Sequence, residues 1–236
     1  MITEEHENMP ASPATAGRSG EDAAVDFFTK QWKVIAGVLG VLVVVVVGYF
    51  YIDSQNDELN LEGLTALARI RNVYGQDTVD YNLALKGQGK GAQSLKGLLD
   101  ISSEYEGTPA GEMAALMAGN ALVVLNRPAE AAEQFEKASA SDAAIVQLGA
   151  MQGLAAVKEL QGDFKSAAEQ YEAAAAVGEE IGLDDKCFLN AAVCYEEANN
   201  KAKAIELYRM IVKKFAMSNV AADAKSGLAR LGTAID

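Results

Sequence analysis

Apolar residues follow two rhythms along this chain. From Val34 to Ile52 they run without a single charge (VIAGVLGVLVVVVVGYFYI). Further on they recur at helical spacing, three or four residues apart. At about 1.5 Å per residue the continuous run reaches roughly 28 Å, close to the thickness of a bilayer's hydrocarbon core. It predicts a transmembrane helix over 34–52. Trp32 stands at one end and Tyr49, Phe50 and Tyr51 at the other, and such rings prefer the headgroup level. A buried core helix would show a polar face, which a valine run lacks. A cleaved signal peptide would have a shorter apolar region followed by small residues, whereas the exit here is bulky Tyr-Phe-Tyr-Ile-Asp.

The flanks set an orientation. Arg18, Lys30 and Lys33 precede the span; Asp53, Asp57, Glu58 and Glu62 follow it, and the next cation is Arg69. Lys and Arg near a span stay on the cytoplasmic side, so the N-terminus is expected inside and the C-terminal part outside. Residues 1–20 lack periodicity and are rich in Glu, Ser, Pro and Gly, which predicts a disordered tail. Residues 21–33 can form a juxtamembrane helix, with Ser19 as cap and Ala24, Phe28 and Trp32 on one face. That face fits a helix lying on the membrane surface and equally the first turns of the span.

Residues 53–106 read as a helical connector and N-terminal cap. Ser54 to Tyr74 places Leu61, Leu64, Leu67, Ala68 and Arg71 at helical spacing, and Gly75 and Asp77 end it. No proline separates it from the span. LKGQGKG at 85–91 is a bend. Its glycines and lysines evoke phosphate binding, but the G-x-x-x-x-G-K-[ST] spacing is missing and no buried strand leads into it. Gln93 to Tyr105 reads as another helix. Thr108-Pro109 then opens the next as N-cap and first-turn proline.

From residue 107 onward the sequence repeats itself. Ala131, Phe135 and Ala138 form an A-x3-F-x2-A set; Ala167, Tyr171 and Ala174 repeat it 36 residues on, and Ala204, Tyr208 and Ile211 repeat it 37 further. A partner helix precedes each set, with Gly119 and Leu122, then Leu154 and Ala155, then Ala192 and Tyr195. The turns within pairs fall at Asn126-Arg127-Pro128, Gly162-Asp163-Phe164 and Asn199-Asn200-Lys201. Small residues let paired helices approach, and the aromatic fills the gap against the next pair. Asp163 and Asn200 are placed to cap their second helices. Ser218 to Leu231, with Val220, Ala224 and Leu228 on one face, closes the array as a cap helix. Lys213-Lys214-Phe215 puts positive charge where the dipole of the last repeat helix favours it. A basic binding site is the sharper alternative for the same residues.

Composition narrows the chemistry. A formal net charge of −13 with no Lys/Arg cluster disfavours nucleic acid. Cys187 and Cys194 lie seven apart on one helix, about 10 Å between Cα atoms, too far for a disulfide; they read as small buried hydrophobes. The lone histidine, His6, sits in the N-terminal tail, so no zinc-type spacing exists and no metal or other cofactor is expected. Adjacent carboxylates such as Glu179-Glu180 and Glu196-Glu197 point in different directions on a helix. No Ser or Cys has an evident base, so an enzyme is not expected.

The repeated spacing resembles the tetratricopeptide pattern W-x2-L-G-x2-Y…A-x3-F, with Ala115, Met151 and Phe188 in place of the tryptophan. The whole then reads as an all-α chain: a transmembrane helix followed by a tetratricopeptide-type α-solenoid of about three repeats with capping helices. FFTKQWK before the span, GYFYIDSQ after it, and the segment LDISSEYEGTPAGEMAALMAGNALVVLNRPAEAAEQFEKAS make residues 21–236 similar to single-span bacterial inner-membrane tetratricopeptide proteins, the family of the ancillary subunit of the SecYEG translocon. That resemblance implies a periplasmic scaffold that meets translocon subunits, chaperones or nascent chains. Its usual groove positions carry over to Met113, Leu116, Asn120, Gln152, Glu159, Leu189, Val193 and Glu196. Their mix of apolar and acidic groups would suit an amphipathic or basic segment. A scaffold for cell division or outer-envelope assembly is the other task such a module could perform.

Overall fold

The computed structural model describes the backbone of residues 20–74, 79–89 and 94–233, and side chains over 41–48, 54–73, 79–89 and 94–233. The tail expected at 1–20 lies outside the described residues except for Gly20. So do His6, the stop at Gly75 and Asp77, and the Lys90–Gln93 stretch. The chain divides into two units, Met1–Ser54 and Gln55–Asp236. Helix α1 runs from Gly20 to Tyr74 without a break. No proline occurs between Pro13 and Pro109, so every backbone N–H in that stretch is available to a helix. Among the described residues no helix is long and apolar enough to cross a membrane. Within 34–52, however, side chains are described only at 41–48.

The second unit corrects the expected face of α1. Of the residues placed there by spacing, Leu67 is buried, while Leu61, Leu64, Ala68 and Arg71 are exposed; Gly63 and Ile70 complete the inner face instead. Gly63 fixes this register. A Cβ there would stand 2.7 Å from the Cβ of Ala110, so only a glycine lets α1 lie this close to the following helices. One turn earlier Asn60 Oδ1 accepts the Ala110 N–H at 3.0 Å, satisfying a free donor in the first turn of the helix that begins at Pro109.

The connector also departs from expectation. A short helix, α2 (Tyr81–Lys86), is capped by Asp80, whose carboxylate accepts the Leu83 N–H at 3.0 Å. Strand β1 (Gly87–Gln88) then pairs antiparallel with β2 (Leu95–Lys96). The helix expected from Gln93 therefore starts only at Leu98 (α3, Leu98–Glu104). At Gly97 a Cβ would meet the Leu85 carbonyl at 2.2 Å, so this close crossing of backbones holds the chain extended where spacing alone predicted helix. A minimal strand pair thus interrupts the otherwise helical chain.

Three antiparallel pairs follow: α4 (Pro109–Val124) with α5 (Pro128–Ser139), α6 (Ala144–Leu160) with α7 (Phe164–Ile181), and α8 (Asp184–Glu197) with α9 (Lys201–Lys214). Helix α10 (Val220–Arg230) packs on α9 and α8 as the expected cap. From α2 onward each helix packs on its chain neighbours, and α4 also touches α6. The turns inside the pairs share one device. Asn126, Gly162 and Asn199 occupy the left-handed region at φ 56°, 77° and 58°, conformations that Gly and Asn tolerate best. The next residue is the N-cap of the second helix. Asp163 accepts the Ser166 N–H at 3.2 Å and Asn200 the Lys203 N–H at 3.4 Å, as their types predict. Each such cap contributes about 1 kcal/mol. Arg127, at the corresponding place, makes no side-chain cap; Pro128 supplies the fixed φ and Arg127 instead pairs with Glu130.

Candidate functional site

The centre of each pair is an aromatic ring at one repeated position: Phe135, Tyr171 and Tyr208, all buried. Twelve residues before each stands its partner on the first helix of the pair: Val123, Glu159 and Glu196. The tyrosine hydroxyls use these carboxylates. Tyr171 donates to Glu159 at 2.6 Å and Tyr208 to Glu196 at 2.9 Å. Burial, and then the bonded carboxylate, push both phenols well above their ordinary range, so both remain protonated donors. Glu196 is held further by Arg230 of α10, whose Nε and Nη2 donate at 3.1 and 2.9 Å. Tyr195 adds a bond between pairs, donating to Glu172 of α7 at 2.6 Å.

These bonds bear on the groove positions carried over from the resemblance. Glu159 and Glu196 are partly buried and already engaged by tyrosines of their own pairs. Gln152, also partly buried, donates to the Cys187 sulfur at 3.0 Å. Leu116 and Leu189 are partly buried and pack against core clusters. Met113, Asn120 and Val193 are exposed.

The eight residues occupy four recurring positions on α4, α6 and α8. The first reads Met113, Gly149, Lys186; the second Leu116, Gln152, Leu189; the third Asn120, Ala156, Val193. The fourth holds Val123, Glu159 and Glu196. Gly149 brings α6 against α4 here, since a Cβ on it would lie 3.1 Å from the Leu116 side chain. A neighbouring position was missed by sequence reasoning: Val124, Leu160 and Glu197. Val124 is 60% exposed and Leu160 46%. The sequence shows large apolar residues at the same place in the first helices of two successive pairs. Beside the intrapair turns, where polar residues are the norm, residue type alone does not mark them as a surface.

Cys187 and Cys194 are buried free thiols. Burial raises both, Cys194 to about 12, so neither carries thiolate character at neutral pH. Among the described residues no group of three or more His, Cys, Asp or Glu is placed to hold a metal ion. Lys214, one of the two lysines weighed as a basic site, is committed to Asp184 at 3.0 Å and Glu179 at 3.4 Å. It ties the end of α9 to the preceding pair.

Comparison with known proteins gives one family match. Residues 150–219 match the tetratricopeptide repeat, a stretch that runs from within α6 through α9. The chain carries tetratricopeptide repeats there, and such repeats are in general non-catalytic modules that bind other proteins. The pair α4–α5 lies outside the matched stretch while keeping the same spacing and the same central ring. No curated protein and no solved structure matches the chain.

Proposed function

We propose that this chain is a membrane-anchored scaffold whose repeat domain, at the outer face of a bacterial inner membrane, binds an amphipathic segment of another polypeptide. The observation that carries the binding half is the row of exposed apolar side chains on the first helices of the pairs: Met113, Val124, Leu160 and Val193. Stacked repeats present such first-helix residues on one continuous surface. Glu159 and Glu196 beside them are turned inward to tyrosines, which leaves Glu197 as the exposed carboxylate of this position, so apolar contact leads and charge plays the smaller part. The membrane half is supported by Val41 to Val47, seven consecutive apolar residues each between 42% and 72% exposed on a helix. A fully apolar exposed stretch is stable in hydrocarbon and poorly tolerated in water. The charges flanking 34–52 favour a cytoplasmic N-terminus and a periplasmic repeat domain. Work near the translocon, on secreted chains or with their chaperones, is the task the family resemblance favours.

A photo-crosslinking residue placed at Val124 or Leu160 in intact cells tests this. Adducts with translocon subunits, periplasmic chaperones or secreted chains are expected. Adducts with division or outer-membrane assembly proteins would keep the scaffold and change its task. If Val124 and Leu160 gave no more adducts than Glu133 on the exposed side of α5, the groove would be wrong. A reporter active only in the cytoplasm, fused after Asp236, should stay silent; activity there would reverse the topology.

A further inference from the structure

Two surfaces away from the groove are opposite in charge and unpartnered among the described residues. One is a cavity of about 290 Å³ lined by Arg209, Val212 and Lys213 of α9 and Leu228 of α10. Arg209 and Lys213 are one helical turn apart, exposed, and without an ion pair among the described residues. Their neighbours differ: Lys203, Lys214 and Arg230 all bond carboxylates of their own chain. One repeat earlier the same positions hold Glu172, Ala175 and Ala176, so the basic pair belongs to this end alone. Unpaired cations over an apolar floor are a local exception in a chain of net charge −13.

The other surface is on α1. Asp57, Leu61 and Leu64 lie on one exposed face, flanked by Glu58 and beside the buried stripe of Gly63, Leu67 and Ile70. Leu61 is 67% exposed and Leu64 47%, and neither Asp57 nor Glu58 has an ion pair among the described residues.

We propose that these surfaces are the two halves of a head-to-tail contact between copies of this chain. Leu61 and Leu64 of one copy would sit against the half-buried Val212 of the next, over the cavity floor closed by the buried Leu228, with Asp57 and Glu58 against Arg209 and Lys213. This is a helix-in-groove contact with anchors three and four residues apart. Pairing like surfaces would oppose the two cations or the two acids, so the charges select the unlike arrangement. A head-to-tail contact repeats without closing unless its rotation happens to form a ring. Two apolar residues and two charges a side make a small interface, so association is weak in dilute solution and strengthened wherever copies are concentrated. The contact uses no groove residue and stands whether or not the groove reading holds.

The test is sedimentation velocity on the full chain in detergent, over a concentration series at low and high salt. The wild type should associate as concentration rises, and salt should weaken it at least several-fold. Arg209→Glu/Lys213→Glu and Asp57→Lys/Glu58→Lys should each weaken association at least tenfold with unchanged thermal melting, since all four residues are exposed. Mixing the two variants should restore it, because the reversed ends match each other. Val124→Asp should leave it untouched. A monomeric wild type, variants that associate normally, or a mixture that stays apart would each overturn the contact. So would a result in which the basic-end variant loses a foreign acidic partner while self-association is absent.

Discussion

At the centre of α4–α5 the ring is Phe135; at the centre of α8–α9 it is Tyr208. Both are fully buried and both rely on glycines for room. A Cβ on Gly119 or Gly153 would stand 2.5 or 2.4 Å from the Phe135 ring, and one on Gly227 would stand 2.4 Å from the Tyr208 ring. The chemical difference between the two sites is the hydroxyl and what receives it. Beside Phe135 the residue twelve earlier is Val123; beside Tyr208 it is Glu196, itself clamped by Arg230. The difference teaches that ring and partner form a unit. A buried hydroxyl without an acceptor is expensive, so the chain changes both residues together.

The largest effect should come from removing the ring where it works by shape alone. Phe135→Ala should destabilise the repeat domain by about 3–5 kcal/mol, the usual range for emptying a fully buried aromatic site. Tyr208→Phe keeps the ring and loses one hydrogen bond, for about 1 kcal/mol. Denaturant titration followed by circular dichroism separates the two. If Phe135→Ala were as mild as Tyr208→Phe, the glycine-lined pocket would not be the main support of the first pair.

A sharper version converts one pair into the other. Phe135→Tyr introduces a hydroxyl beside Val123 and should cost about 1–3 kcal/mol, the penalty of a buried unsatisfied polar group. Adding Val123→Glu rebuilds the arrangement seen at Glu159–Tyr171 and should recover a good part of that loss. The double variant must therefore be more stable than Phe135→Tyr alone. A purely additive result in the four-member cycle would show that the ring and its partner are independent.

This coupling explains what could be read in advance. The repeat rhythm, the left-handed turns and the caps at Asp163 and Asn200 are local matters, set by residues within a turn of one another, and they stood in the sequence. The connector did not, because its form depends on approaches between distant segments: Gly63 against Ala110, Gly97 against Leu85. Such glycines look like ordinary helix weaknesses until the neighbour is known. The groove positions came from the family resemblance, and periodicity places their counterparts in each pair. Their chemistry was not. Glu159 and Glu196 look like free acids in the sequence, and only the fold of each pair shows a tyrosine reaching them.

The smallest expected effect separates the pairs by pH. The Arg230 guanidinium, and then the Tyr208 hydroxyl, hold the Glu196 carboxyl below the ordinary carboxylate range. In the unfolded chain that carboxyl takes up a proton at higher pH than in the folded one. Its contribution to stability is therefore complete above the ordinary Glu value, about 4.3, and is lost as pH falls through the lower folded value. Glu196→Gln should lower stability near neutral pH by roughly 1 kcal/mol or less, because the pair with Arg230 is partly exposed to solvent. The gap to wild type should begin to narrow as pH falls below the ordinary Glu value, and close as Glu196 takes up its proton at the lower folded value, leaving a neutral group facing Arg230 in both chains. The matching change in the first pair, Val123→Gln, removes no carboxylate, so its stability difference should stay level over the same pH range. A Glu196→Gln gap that stayed constant down to about pH 3 would mean that the carboxyl is not held by its charge on Arg230. The third pair would then differ from the first in geometry alone.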